Sequence, residues 1–137
     1  CFSGFALNTR IVNAASYSQT IQLTESDNVV TIIGTKDVTI KFPQVYRYDD
    51  GHILIIKRDG DMNVKLYPGY YVDDDGNYRN TYIRYDRGDI VVGTSNYLSV
   101  ESWGDSMMFI FHSNLQVTKD GTTYYGSWIQ YKLPRDW

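Results

Sequence analysis

At 137 residues with 42% hydrophobic side chains, the chain is long enough for one domain with a folded core, which excludes a disordered tail. The net charge of −3 with scattered basic residues leaves no basic stripe, so phosphate-directed nucleic-acid binding is not expected. No apolar run approaches the ~20 residues of a membrane helix, which argues against helical insertion into a membrane.

Residues 1–16 read as a leader or connector to a missing upstream region, with Arg10–Ala14 able to add an edge strand. Cys1, the single cysteine, rules out an intrachain disulfide. Two readings of it stay open: the lipidated first residue of a bacterial lipoprotein, or a truncation point. Residues 17–137 then read as a single domain.

From Tyr17 onward the pattern is one of short alternating strands, expected over 17–23, 28–33, 38–42, 53–58, 62–67, 81–85, 90–94, 97–101, 107–112, 115–119 and 123–132. Val38-Thr39-Ile40-Lys41-Phe42 and Met62-Asn63-Val64-Lys65-Leu66 alternate apolar and polar, which places one set on a buried face. Gly34-Thr35-Lys36-Asp37 reads as a short hairpin. Asp59-Gly60 and Asp120-Gly121 read as tight turns, because Asp-Gly readily takes positive φ. Phe42-Pro43 ends its strand, since proline cannot donate to a ladder. Gln44 to Asp50 has room for one helical turn. Ile53–Ile56 and Met107–Phe111 are apolar on both faces, as central or subunit-facing strands are. The expected fold is an all-β antiparallel sandwich, jelly-roll-like, with no substantial helix and no internal repeat.

Chemistry-bearing motifs are sparse. His52 and His112 stand sixty residues apart, and with one cysteine they make no tetrahedral zinc set. There is no G-x-S-x-G elbow. With two glutamates, Glu25 and Glu101, a glycosidase pair would need an aspartate, and most aspartates stand in turns. No catalytic residue, metal site or cofactor is expected. Asp73-Asp74-Asp75-Gly76-Asn77 misses the EF-hand spacing and reads as a hairpin tip, with a low-affinity calcium site as the other reading. Arg87-Gly88-Asp89 matches an integrin-read tripeptide but also serves as a turn.

Tyrosine is the abundant resource, with 13 in the chain. Tyr67, Tyr70, Tyr71, Tyr78, Tyr82 and Tyr85 gather around the acidic loop, and Tyr46 and Tyr48 flank another. A ring with a polar tip suits recognition at low entropy cost, and rings beside carboxylates suit sugars; cross-strand aromatic packing is the competing explanation. The candidate ligand-binding set is Tyr70, Tyr71, Asp73, Asp74, Asp75 and Tyr78. Trp103 and Trp128 are expected in the core or an interface, and Trp137 as a cap on the last strand.

Ile21-Gln22-Leu23-Thr24-Glu25-Ser26-Asp27, the strand closing at Phe42-Pro43, Gly51 before an apolar strand ending on Lys57, and Gly60-Asp61-Met62-Asn63-Val64 follow in order. Ser102-Trp103-Gly104-Asp105-Ser106 and Gly126-Ser127-Trp128 come later. Taken together, residues 17–137 resemble the β-rich distal modules of bacteriophage tail fibres and other virion fibres. The resemblance implies a homotrimer at a fibre's end on the virion, with the Ile53 and Met107 strands partly facing neighbouring subunits. It also implies loops that meet a bacterial surface polysaccharide or protein receptor, with no cofactor. A bacterial surface or secreted carbohydrate-binding or adhesin module is the alternative, and a fibre-borne polysaccharide depolymerase is the enzymatic one.

Overall fold

Alternating side chains make each early segment a strand with one buried face, and successive strands are laid into two sheets in turn. The structure, a computed structural model, describes residues 6–85, 89–92, 96–100 and 106–132. Strands β1 (Thr9–Ala14), β3 (Val29–Gly34) and β6 (Ile53–Gly60) lie side by side in the first sheet. Strands β2 (Gln19–Gln22), β4 (Val38–Lys41) and β7 (Val64–Tyr67) lie side by side in the second. The pairings β1–β3, β3–β6, β2–β4 and β4–β7 are all parallel, so the chain winds through three stacked coils. Parallel neighbours need a long crossover. Here each crossover carries the strand that builds the facing sheet.

The interior follows from this register. Val12, Val30, Ile32, Leu54 and Ile56 from one sheet and Val38, Ile40, Val64 and Leu66 from the other are buried in one cluster. Ile21, Ile40 and Leu66 occupy one level of successive coils, so the core is a stack of like side chains. Each fully buried aliphatic contributes roughly 1.5–3 kcal/mol. Arg58 takes the level that Val12 and Ile32 occupy in the coils before it. It is buried, and its Nε donates to the Met62 carbonyl at 2.6 Å, closing the end of the apolar interior with a satisfied guanidinium.

Later strands wrap this coil. β5 (Val45–Tyr46), β8 (Tyr70–Val72) and β9 (Tyr78–Asn80) form a third, small sheet. β10 (Tyr82–Tyr85), β11 (Asp89–Val92), β13 (Ser106–Lys119) and β14 (Thr122–Lys132) extend the first sheet to the order β1-β3-β6-β13-β14-β10-β11. β12 (Leu98–Val100) joins the second beside β7. Trp128, fully buried against Phe42 and Phe111, joins the wrap to the coil as a core residue.

The all-β, sandwich-like architecture expected from the alternation is present, and no α-helix occurs among the described residues. The strand direction differs from the antiparallel expectation: among the described residues six of the eleven pairings are parallel. Gly34–Asp37 is a corner between sheets rather than a hairpin, because β3 and β4 belong to different sheets. Asp59-Gly60 does not turn; both residues continue β6, and the chain bends after them. Asp120 and Gly121, at φ 52° and 82°, make the expected hairpin between β13 and β14. The expected strands 107–112 and 115–119 are one strand, β13, with a register shift between His112 and Gln116. Arg10–Ala14 lies within β1, the edge strand of the first sheet. The single turn expected near Gln44–Asp50 is a 3-10 turn at Arg47–Asp49. Cys1, Trp103, Trp137 and the first two residues of Arg87-Gly88-Asp89 lie outside the described residues.

Candidate functional site

All three coils leave the second sheet at one level. Gln22, Lys41 and Tyr67 are register partners at the ends of β2, β4 and β7, on the outer face opposite the buried Ile40 and Leu66. The next residues, Leu23, Phe42 and Pro68, are buried. Two further bonds, Leu23 N–H to the Lys41 carbonyl at 2.9 Å and Phe42 N–H to the Tyr67 carbonyl at 3.0 Å, carry the ladder one residue past the strands. The first coil then leaves the other two, which stay together and pair again as β5 and β8, and an open groove of about 770 Å³ lies along the three corners. Leu23, Phe42 and Pro68 form its buried floor; Gln22, Glu25, Lys41 and Gln44 line it with polar groups. Tyr46, Tyr67 and Tyr70 supply rings.

The first corner is set by Asp27, which is buried. Its carboxylate accepts from Arg10 Nε at 2.9 Å and Nη2 at 3.1 Å, and from the Thr24 N–H at 2.8 Å. That bidentate clamp fixes the loop carrying Glu25 at the groove edge. At the third corner, a Cβ on Gly69 would lie 2.5 Å from the Phe42 carbonyl oxygen, so only glycine lets these two corners close together.

The small sheet forms the aromatic wall. Its register places Tyr46 opposite Val72, and Val72 opposite Tyr78, with Tyr70 two residues along. Period-2 alternation therefore sets Tyr46, Tyr70 and Tyr78 on one face. Tyr70 and Tyr78 meet edge to face at 6.0 Å. Tyr46 and Tyr48 stack at 5.1 Å with planes 5° apart, and Gln44 Nε2 donates to the Tyr46 hydroxyl at 2.9 Å. Tyr48 is 73% exposed. Its phenol is held above the ordinary tyrosine range by desolvation first, then by Tyr46 and the carboxylates of Asp49 and Glu25.

The six candidate ligand residues divide. Tyr70 lines the groove and Tyr78 stands against it, both exposed. Tyr71 points the other way, half-buried against Phe111 at 6.3 Å, and burial ahead of the Asp74 charge raises its phenol. Asp73 serves the hairpin tip: it accepts from the N–H groups of Asp75 and Asn77 at 3.0 and 2.9 Å and from Arg79 Nε at 3.0 Å. The Asn77 N–H foremost, and then Arg79 and Asp75, hold its carboxyl below the usual range against opposing desolvation. Asp74 pairs with Arg47 Nε at 3.1 Å, both exposed, tying the tip to the 3-10 turn. Asp75 is exposed. No group of three His, Cys, Asp or Glu suited to a metal occurs among the described residues.

Gln22, Glu25, Lys41 and Gln44 line the groove without having been expected there, and Tyr46 and Tyr67, counted among the clustered tyrosines but not in the candidate ligand set, line it too. The available signal was three strand ends of one form, Gln22-Leu23, Lys41-Phe42 and Tyr67-Pro68, each an outward residue before a buried one. Among the described residues neither Glu25 nor Lys41 is in an ion pair, so both charges remain available in the groove. His52 and His112 take no part: their Nε2 atoms meet the Asp27 carbonyl and the Tyr131 hydroxyl. An apolar floor with rings and separate hydrogen-bonding groups at its rim is suited to holding a ligand. Comparison with family models, curated proteins and solved structures returned no match.

Proposed function

We propose that this chain is a bacteriophage fibre module for host-surface attachment or fibre structure, working by surface complementarity without catalysis. The observation that carries the reading is the convergence of Tyr46, Tyr48, Tyr70 and Tyr78 on one exposed corner of a rigid coil. Rings preset by their neighbours lose little freedom on binding, which is how a recognition surface gains affinity. The module acts as a homotrimer on the virion, with the outer faces of β6 and β13, where Ile53, Ile55, Met108 and Ile110 are half-buried, turned toward its neighbours. Its receptor is a bacterial surface polysaccharide or protein.

The test is adsorption of the labelled chain to a panel of bacterial strains, with its mass measured in solution. Strain-selective adsorption and a mass near three times 15.8 kDa are the expected results. The groove also supports a second reading, a bacterial surface or secreted carbohydrate-binding or adhesin module. A clean monomer that adsorbs equally well favours that one. A chain that is monomeric and adsorbs to no strain removes both.

A further inference from the structure

We propose that the groove across the ends of β2, β4 and β7 binds a neutral oligosaccharide, with Tyr70 as a stacking platform and Glu25 and Lys41 as hydroxyl partners. This rests on the binding reading above and names the ligand class of that site. Three features of the groove select sugar over a peptide or a charged polymer.

The first is the balance of charge. One carboxylate, Glu25, and one ammonium, Lys41, line the groove, and neither is ion-paired among the described residues. A polyanion would meet Glu25 and a polycation Lys41. A neutral chain of hydroxyls meets both favourably, because each hydroxyl donates to a carboxylate and accepts from an ammonium. The second is the kind of apolar surface. Leu23, Phe42 and Pro68 are buried beneath the opening, so the exposed hydrophobic area is ring surface, chiefly Tyr70 with Tyr78 behind it. A flat ring matches the C–H face of a pyranose and offers no deep socket for a peptide side chain. The third is the condition of the backbone. Gln22 Nε2 donates to the carbonyls of Leu23 and Phe42 at 2.9 and 3.1 Å, and the ladder bonds at the corners occupy further groups. A peptide laid across these corners would find those carbonyls already taken; the open edge of β2 runs along the strand and is not among them. The volume, about 770 Å³, lies in the range of roughly 300–1,000 Å³ typical of ligand sites.

The experiment uses the full chain on immobilised bacterial surface polysaccharides, graded from neutral to strongly acidic, with Tyr70→Ala, Glu25→Gln and Tyr17→Ala compared by thermal midpoint. Tyr17 is exposed, as Tyr70 is, but lies between β1 and β2, outside the residues that line the groove. Expected is retention on neutral glycans, reduced about tenfold by Tyr70→Ala and tenfold or more by Glu25→Gln, with Tyr17→Ala unchanged. Retention on acidic glycans alone, equal losses in all three variants, or no retention on any glycan overturns the proposal. Adsorption to whole cells separates this from the function itself. If binding to cells survives periodate oxidation of their sugars and is lost on protease treatment, the sugar assignment fails while attachment stands. If there is no binding to cells, attachment itself fails.

Discussion

Gly60 stacks directly on Gly34 in the register of β3 and β6, and a Cβ on Gly60 would run into the Gly34 carbonyl oxygen. Gly34 in turn sits at φ 111° against the backbone of Ala14, its partner in β1. Three successive coils thus share one corner where backbone touches backbone. Gly60→Ala is expected to cost about 1–3 kcal/mol through overpacking. Gly76→Ala, at φ 81° with open space around it, is expected to cost only about 1 kcal/mol of backbone strain. Chemical denaturation of the two variants compares them, and equal losses would show that the corner relaxes.

Tyr70 and Tyr71 are neighbours with opposite duties. Tyr71→Ala removes a half-buried ring from Phe111 and is expected to cost about 1–3 kcal/mol. Tyr70→Ala is expected to stay within about 0.5 kcal/mol of the parent, while cell adsorption falls. The two effects changing places in paired stability and adsorption measurements would refute this division.

Asp27 carries a bidentate pair and a backbone bond while buried, so Asp27→Ala is expected to cost about 2–3 kcal/mol. Arg10, more exposed, is expected to cost about 1 kcal/mol as Arg10→Ala, because water replaces part of its role. Urea unfolding of both variants supplies the comparison. A larger loss for Arg10 would mean that Asp27 is not what organises the corner.

Among the described residues, the fully buried hydroxyl of Ser127 has no hydrogen-bond partner. Ser127→Ala is therefore expected to leave stability unchanged or raise it by up to about 1 kcal/mol. A clear destabilisation in calorimetry would reveal a bonded water at that hydroxyl.

Asp73 has its carboxyl held low in the folded state, chiefly by the Asn77 N–H. Because the folded value lies below the unfolded one, its contribution is present at neutral pH and is lost as pH falls through that lowered value. The acid limb of the stability curve should flatten in Asp73→Asn. In Arg79→Gln the carboxyl midpoint, followed by NMR, should rise only part of the way, since Arg79 is not the leading cause. A full return to the ordinary carboxylate value would give Arg79 the leading part.

Strand positions were readable because alternation survives in β3, β4, β6 and β7, each keeping a buried parity, and because Asp120-Gly121 marks the β13–β14 hairpin. Their pairing was not. Val30 meets Ile56 across a coil whose crossover carries β4, β5 and a 3-10 turn, while the first crossover carries β2 alone. Unequal coils have no constant sequence period, so a structural repeat left no repeat in the residues. Strands β5, β8 and β9 are two or three residues long and tyrosine-rich, and tyrosine is at home on either face, so their parity was hidden. Tyr70 and Tyr78 were expected at a protruding loop and are exposed, whereas the inward turn of Tyr71 depends on its distant partner Phe111. Gln22, Lys41 and Tyr67 were invisible as a set because only parallel register aligns them.

Each coil contributes one corner to the groove, so the groove behaves as a ruler graduated at the strand spacing of about 4.8 Å. Gain or loss of a coil would change the reach of the molecule by one graduation and leave the stacked interior intact.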